Sequence, residues 1–186
     1  MLRRDKRILE SLTNRYGISI INEALREHDS GIRTMLEFFA NSYSGVGAAL
    51  YKQKANDANS VDIVSLSEVF SPEEIKMIKK YVRPKAKMCY KNAYMLCDYF
   101  DGEGHDIKYV EGYLNMRGLP IEHAFNCVDG KYVDITMELA LGKDMIEDSY
   151  VSIGEFSTDE VRRVLLKNGY YGQIYDTLFL DSYKER

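Results

Sequence analysis

The chain of 186 residues has no tryptophan, three prolines, three cysteines and three histidines. Three cysteines cannot all pair within one chain. No Cys-x-x-Cys pair occurs, so neither a disulfide framework nor a zinc site built from Cys89, Cys97, Cys127 and His123 is expected, and free thiols are. No uninterrupted apolar run approaches the ~20 residues needed to span a bilayer. The first residues, Met1-Leu-Arg-Arg-Asp-Lys-Arg7, lead into no apolar segment of signal-peptide type, which points to the cytoplasm and away from a membrane. A basic excess is also missing. A net charge of −4 does not favour nucleic acid as a partner, and the basic residues at the start read as a solvated terminus. Gly45 and Gly47 have no preceding strand, no third glycine at the right spacing and no Gly-Lys-Ser/Thr, which excludes a phosphate loop. Asp101, Glu103 and Asp106 lack the alternating pattern and closing Glu of an EF-hand loop. Repeats and low-complexity tracts are absent. No cofactor or metal is expected.

What is present suits a soluble domain with a core. Apolar residues make up 45% and charged residues 29%, and the length fits one domain or one domain with an extension. The 15 tyrosines read as strand and helix packing rather than as a platform for bases. Residues 1–70 read as a helical N-terminal region, either part of the same domain or an extension of it. Ile8, Leu9 and Leu12 follow helical spacing up to Gly17, and Ser19 caps a second helix through His28. Ser30 or Gly31 opens a third, with Ile32, Met35, Leu36 and Phe39 as its apolar stripe, interrupted at Ser44-Gly-Val-Gly47. Lys52 to Ser60 is polar and reads as a loop.

From residue 71 the signals sharpen. Ser71-Pro-Glu-Glu74 is a capping box with proline at the first helical position and predicts a helix from Pro72 to Tyr81. Pro84 separates it from a mostly apolar helix over Lys87–Phe100, in which Cys89, Ala93, Leu96, Cys97 and Phe100 share one stripe and Cys89 falls in the first turn. Ile107–Leu114 reads as a strand, Gly118-Leu-Pro120 as a turn, and the stretch from Thr136 to Gly142 as irregular. Ser157-Thr-Asp-Glu160 is a second capping box, starting a helix that Gly169 stops. Gln173–Leu180 reads as a last strand, with a fraying tail from Ser182. His28 and His105 fall in apparent turns and are expected at the surface.

The stretch Ile121–Thr136 organises the chemistry. It reads as two strands joined at Asp129-Gly130, because both central residues of a type I′ turn need φ > 0. A two-residue turn sets Val128 opposite Lys131, Cys127 opposite Tyr132 and Phe125 opposite Asp134. His123 and Asp134 then share a face, one diagonal step apart, within reach of each other. A carboxylate that orients an imidazole is half of a catalytic triad, and Cys89 is the candidate nucleophile. An ordinary cysteine thiol titrates near 8.5, and a helix N-terminus or a neighbouring imidazolium lowers that value. The Cys89 N–H is also placed to donate to an oxyanion. Gln53 and Asn92 are the side chains that suggest themselves as a second donor, without a decisive signal for either.

These residues resemble the papain-like fold in its transglutaminase-like branch. Met88-Cys89-Tyr90 opens the helix, and Tyr109-Val-Glu-Gly-Tyr113 matches the strand before the histidine. His123-Ala-Phe125 stands where the family has His-Ala-Trp. Tyr132-Val-Asp-Ile-Thr136 stands where it has Trp/Tyr-x-x-Asp-Pro-Thr. Phe125 replaces the usual Trp and Ile135 the usual Pro. The resemblance covers about residues 86–137 and makes residues 71–186 an α+β papain-like core, a central helix on an antiparallel sheet. It implies the chain order Cys89, His123, Asp134 and acyl chemistry through a thioester: protease, amidase, deamidase or transglutaminase-type. The expected partner is a protein or peptide substrate, or a small amide or amine. Two rival readings remain at this level: a binding module that keeps the fold without catalysis, and a core protein in which Cys89 is inert.

Overall fold

The computed structural model describes residues 28–116, 119–142 and 149–185. The expectations for residues 8–17, for the helix begun at Ser19 and for the basic start lie outside them. Strands β1 (Asn59–Val61), β2 (Ile107–Met116), β3 (Leu119–Val128), β4 (Lys131–Val133) and β5 (Ser149–Phe156) form one antiparallel sheet in the order β1-β5-β2-β3-β4. The α+β class expected from the sequence holds.

Helix α1 (His28–Ser42) and helix α2 (Val46–Asp57) are separated by Tyr43–Gly45, so the interruption expected over Ser44–Gly47 is shorter, with Val46 and Gly47 already helical. Neither Ser30 nor Gly31 opens α1, which is already helical at His28. The stripe Ile32, Leu36 and Phe39 packs with Tyr51 and Ala55 of α2 against Tyr113, Val151 and Ile153 of the sheet. The polar run from Lys52 is therefore helix as far as Asp57, not a loop, and Asn59–Val61 is a strand. Lys54 explains why polarity misleads here. Its side chain is buried, with the ammonium 2.6 Å from Asp176 and beside the rings of Tyr51 and Tyr175. A lysine stem covers apolar surface once its charge has a partner.

Helix α3 (Pro72–Met77) has the expected reciprocal capping box between Ser71 and Glu74, and continues as a π turn, Ile78–Val82, that stops at left-handed Arg83. Helix α4 (Cys89–Tyr99) and helix α5 (Thr158–Asn168) sit on one side of the sheet. Ala93, Leu96, Val161 and Val164 meet Tyr109, Ala124 and Val128 there. The opposite face carries Val110, Leu114, Phe125, Cys127, Met137 and Tyr150. Ser157 and Glu160 cap α5 reciprocally and Gly169 ends it at φ 74°, as expected.

Three further expectations give way. Gln173–Leu180 is not a strand: helix α6 runs Ile174–Lys184. Leu119 and Pro120 belong to β3, opposite Met116 and Asn115, rather than to a turn. Thr136–Ala140 forms a π turn rather than irregular chain. Strand β5, between β1 and β2, had no counterpart among the expected elements. It can enter only because Gly112 lacks a side chain: a Cβ there would stand 1.9 Å from the Val151 carbonyl oxygen, at the irregularity between Glu111 and Gly112.

Candidate active site

The Asp129-Gly130 turn has the two positive φ angles a type I′ turn requires, 50° and 81°. Its register is the expected one, with Val128 opposite Lys131, Cys127 opposite Tyr132 and Asn126 opposite Val133. Strand β4 stops at Val133, and Asp134 is the first residue beyond it. His123 Nε2 lies 2.5 Å from Asp134 Oδ2, with both side chains buried. The contact expected between imidazole and carboxylate is present, but not as a cross-strand diagonal. The expected pairing of Phe125 with Asp134 does not form, and Asp134 reaches His123 from the loop after β4.

Asp134 is held from all sides. Its Oδ1 accepts the main-chain N–H groups of Thr136 and Met137 at 2.8 and 3.1 Å. Its Oδ2 accepts from His123 and, at 3.0 Å, from the Tyr150 hydroxyl. A carboxylate offers about four acceptor sites, and these four donors fill them. The His123 ring lies parallel to Phe125, with centroids 6.5 Å apart, and edge-on to Tyr150. Ile135, where the resemblance leads one to expect proline, adopts φ −66°. A proline ring imposes that same angle, so the substitution leaves the chain path intact.

Because β4 is short, the edge of β3 beyond Phe125 has no strand beside it. The N-terminus of α4 occupies that place. Alternate residues of an antiparallel strand direct their N–H to the same neighbour, and Ala124, two before Asn126, directs its N–H at the Cys89 sulfur. Cys89 is the first residue of α4, so its own N–H has no acceptor within the helix. Asp134 occupies Nε2 of His123, which leaves Nδ1 for the thiol.

Burial by itself raises the Cys89 thiol. The hydrogen bond and positive charge of His123, with the N–H groups of Ala124 and Tyr90, reverse this, and the net shift is downward. Burial likewise opposes a charge on His123. The charge of Asp134 and the hydrogen bonds to Asp134 and Cys89 overcome it and push the imidazole up to about 10. The two shifts agree in sense: the pair favours thiolate with imidazolium. Cys97 contrasts with this. Burial pushes its thiol up to about 12, and its sulfur accepts from Asn126 within the core. All three cysteines are free.

Neither side chain named as a second oxyanion donor is placed for it. Gln53 lies on α2 and donates to Asp57. Asn92 is buried and fully engaged. Its Oδ1 accepts from Lys85 N, and its Nδ2 donates to Lys85 O and to Thr136 Oγ1. It joins the chain before Cys89 to the loop that carries Asp134. His105 is not a free surface residue either. Its ring nitrogens meet Asp129 Oδ2 at 2.6 Å and Glu74 Oε1 at 3.0 Å, and its ring stands edge-on to Phe70 and Phe100.

A narrow cleft of about 20 Å³ opens beside His123, walled by Tyr90, Glu111, Glu122, Gln173 and Asp176. Gly172 packs its backbone against the ring of Tyr90, where a Cβ would stand 3.0 Å from Cγ. A larger hollow of about 570 Å³ lies between α2 and α6, and no member of the Cys89–His123–Asp134 group lines it. The narrow cleft is the relevant one, because His123 lines it. Sequence reasoning missed Tyr150 and the Ala124 N–H. One tyrosine among 15 carries no mark of its partner, whereas the Ala124 N–H follows from strand parity once β4 is known to end at Val133.

Comparison with protein-family models, with curated proteins and with solved structures gives no match. Among the described residues no helix is long and apolar enough to cross a membrane.

Proposed function

We propose that the chain is a cysteine-dependent hydrolase or acyltransferase that acts on an amide through a thioester, on a papain-like core of the transglutaminase-like branch. The observation that carries this reading is one buried imidazole held between two partners: Asp134 at Nε2, 2.5 Å away, and the thiol of Cys89 at the start of α4. Any buried imidazole needs partners for both ring nitrogens. What favours chemistry here is their identity, a carboxylate and a thiol at a helix start. A nucleophile, a base and an orienting acid in contact are what covalent catalysis requires. The chain order of helix, strand, His strand and Asp loop supports the papain-like reading.

In the proposed reaction the Cys89 thiolate attacks the amide carbon. The negative charge passes to the carbonyl oxygen, where the Cys89 N–H is the proposed donor. As the C–N bond breaks, the His123 imidazolium gives its proton to the leaving nitrogen, and an S–acyl bond remains. His123 then takes a proton from water or from an amine, which attacks the thioester and releases Cys89. Asp134 keeps one imidazole tautomer and stabilises the imidazolium throughout. A protein or peptide, or a small amide with an amine acceptor, fits this chemistry.

Iodoacetamide alkylation of Cys89 followed across pH tests the reading. The expected profile begins at a pH below that of an ordinary thiol, and His123→Ala moves it back to the ordinary range. If Cys89 alkylates as an ordinary thiol and His123→Ala leaves the rate unchanged, the reading is wrong.

A further inference from the structure

We propose that Tyr150 is a positioning residue for His123, sharing one oxygen of Asp134 with it and so limiting how strongly that oxygen holds the imidazole. Its importance for catalysis rests on the Cys89–His123–Asp134 reading above, whereas the hydrogen bond itself does not. Tyr150 is buried on β5, and its hydroxyl donates to Asp134 Oδ2 at 3.0 Å, the atom that His123 Nε2 meets at 2.5 Å. The other carboxylate oxygen is fixed by two main-chain donors, from Thr136 and Met137. Those two set the position of the carboxylate. The hydroxyl has a separate effect: a second donor on Oδ2 withdraws charge from the atom that stabilises the imidazolium.

The placement also distinguishes Tyr150 from a packing residue. Its ring lies 5.3 Å from Phe125 and 6.1 Å from His123, edge-on to both, so the ring closes the apolar side of the imidazole. Phenylalanine would preserve that closure. Only the hydroxyl reaches the acid. Ring and hydroxyl therefore separate cleanly by one substitution, and the two roles predict different results. Loss of packing lowers stability and leaves the ionisation of His123 unchanged. Loss of a competing donor raises the pH at which His123 gives up its proton.

The titration of the His123 ring protons, followed by NMR in the full chain and in Tyr150→Phe, tests the proposal. The expected shift is upward by about one pKa unit, the size of one hydrogen bond to a charged group. An unchanged or lowered midpoint in a folded Tyr150→Phe protein overturns it. A second measurement needs no variant. In the unaltered chain the Tyr150 hydroxyl proton resonance should move with the His123 titration, and a resonance indifferent to it also overturns the proposal. Neither readout depends on Cys89 being a nucleophile. Alkylation of Cys89 as an ordinary thiol removes the catalytic reading while leaving the His123 titration to decide the role of Tyr150.

Discussion

Asn92 Nδ2 donates to Thr136 Oγ1 at 2.9 Å, and this contact ties the helix that begins at Cys89 to the loop that begins at Asp134. The same amide grips both the N–H and the carbonyl of Lys85, just before the helix. Cys89 and Asp134 come from segments more than forty residues apart, and one buried side chain joins those segments.

Asn92→Ala leaves a buried N–H, a carbonyl and a hydroxyl without this partner. The expected cost is about 2–3 kcal/mol, or a fall in Tm of roughly 4–12 °C for a chain of this size. Urea unfolding measures it. Asn92→Asp keeps an acceptor for Lys85 N but loses both donors, so it is expected to recover only part of the loss. In both variants Cys89 alkylation should slow at neutral pH, because the start of α4 is no longer held to the Asp134 loop. An unaltered alkylation rate in a destabilised Asn92→Ala would show that the contact serves stability alone.

His105 joins the turn of the His123 hairpin to the cap of α3. Its hydrogen bonds to Asp129 first and Glu74 second raise it above the ordinary 6.5. His105 is in turn the main cause of the lowering of Asp129, whereas Glu74 is lowered chiefly by Ser71 and only then by His105. The signs define a window. The histidine increment is complete below pH 6.5 and is lost as pH rises through its raised folded value. The carboxylate increments are complete above about 4.5 and are lost as pH falls through their lowered folded values. The stability gap between the wild type and His105→Gln should therefore be widest near pH 5.5 and shrink towards pH 8.5. A gap that stays constant between those two pH values contradicts the prediction. Asp129→Asn retains the turn preference and should narrow the same gap.

Gly112 and Gly130 are expected to respond differently to alanine, for different reasons. At Gly112 the added Cβ would meet main chain of the neighbouring strand, 1.9 Å from Val151 O and 3.0 Å from Ser152 Cα. Backbone cannot swing aside as a flexible side chain can, so the cost should be roughly 4 kcal/mol or more, with β5 displaced from β2. At Gly130 nothing lies within 4 Å and only φ, +81°, is unfavourable. There the cost should be about 1–2 kcal/mol. Parallel thermal melts check both; equal losses would mean that the close approach of β5 is wrong.

Glu111 supplies the cap that α6 lacks in its own sequence. Its Oε1 accepts from Ile174 N and Tyr109 Oη, and its Oε2 from Tyr175 N, all at 3.0 Å. Glu111→Ala leaves two N–H groups of a buried helix start unpaired, at an expected cost of roughly 3 kcal/mol. Hydrogen exchange at Ile174 and Tyr175 should quicken before that of α4. If those amides remain as protected as in the wild type, Glu111 is not the cap.

What the sequence determined by itself was local. Ser71 with Glu74, Ser157 with Glu160, Gly169, and Asp129 with Gly130 each act over two to four residues, where the chain's own geometry leaves few alternatives. The hairpin register followed from the turn as far as Val133, whereas the loop after Val133 brings Asp134 to His123. The helix at Cys89 followed from its apolar stripe. Tertiary structure decided the rest, because the deciding contacts join residues far apart in the chain. Ile174–Lys184 has apolar residues at Ile174, Tyr175, Leu178 and Phe179, a helical spacing offset by its strand-favouring aromatics, and its cap comes from Glu111, 63 residues away. Lys54 reads as solvent-exposed until Asp176 neutralises it. Strand β5 depends on the space left by Gly112, and only β5 brings Tyr150 to Asp134. A tyrosine's partner across a sheet is set by strand order, and strand order is set by how the buried faces fit, which no short stretch of sequence contains.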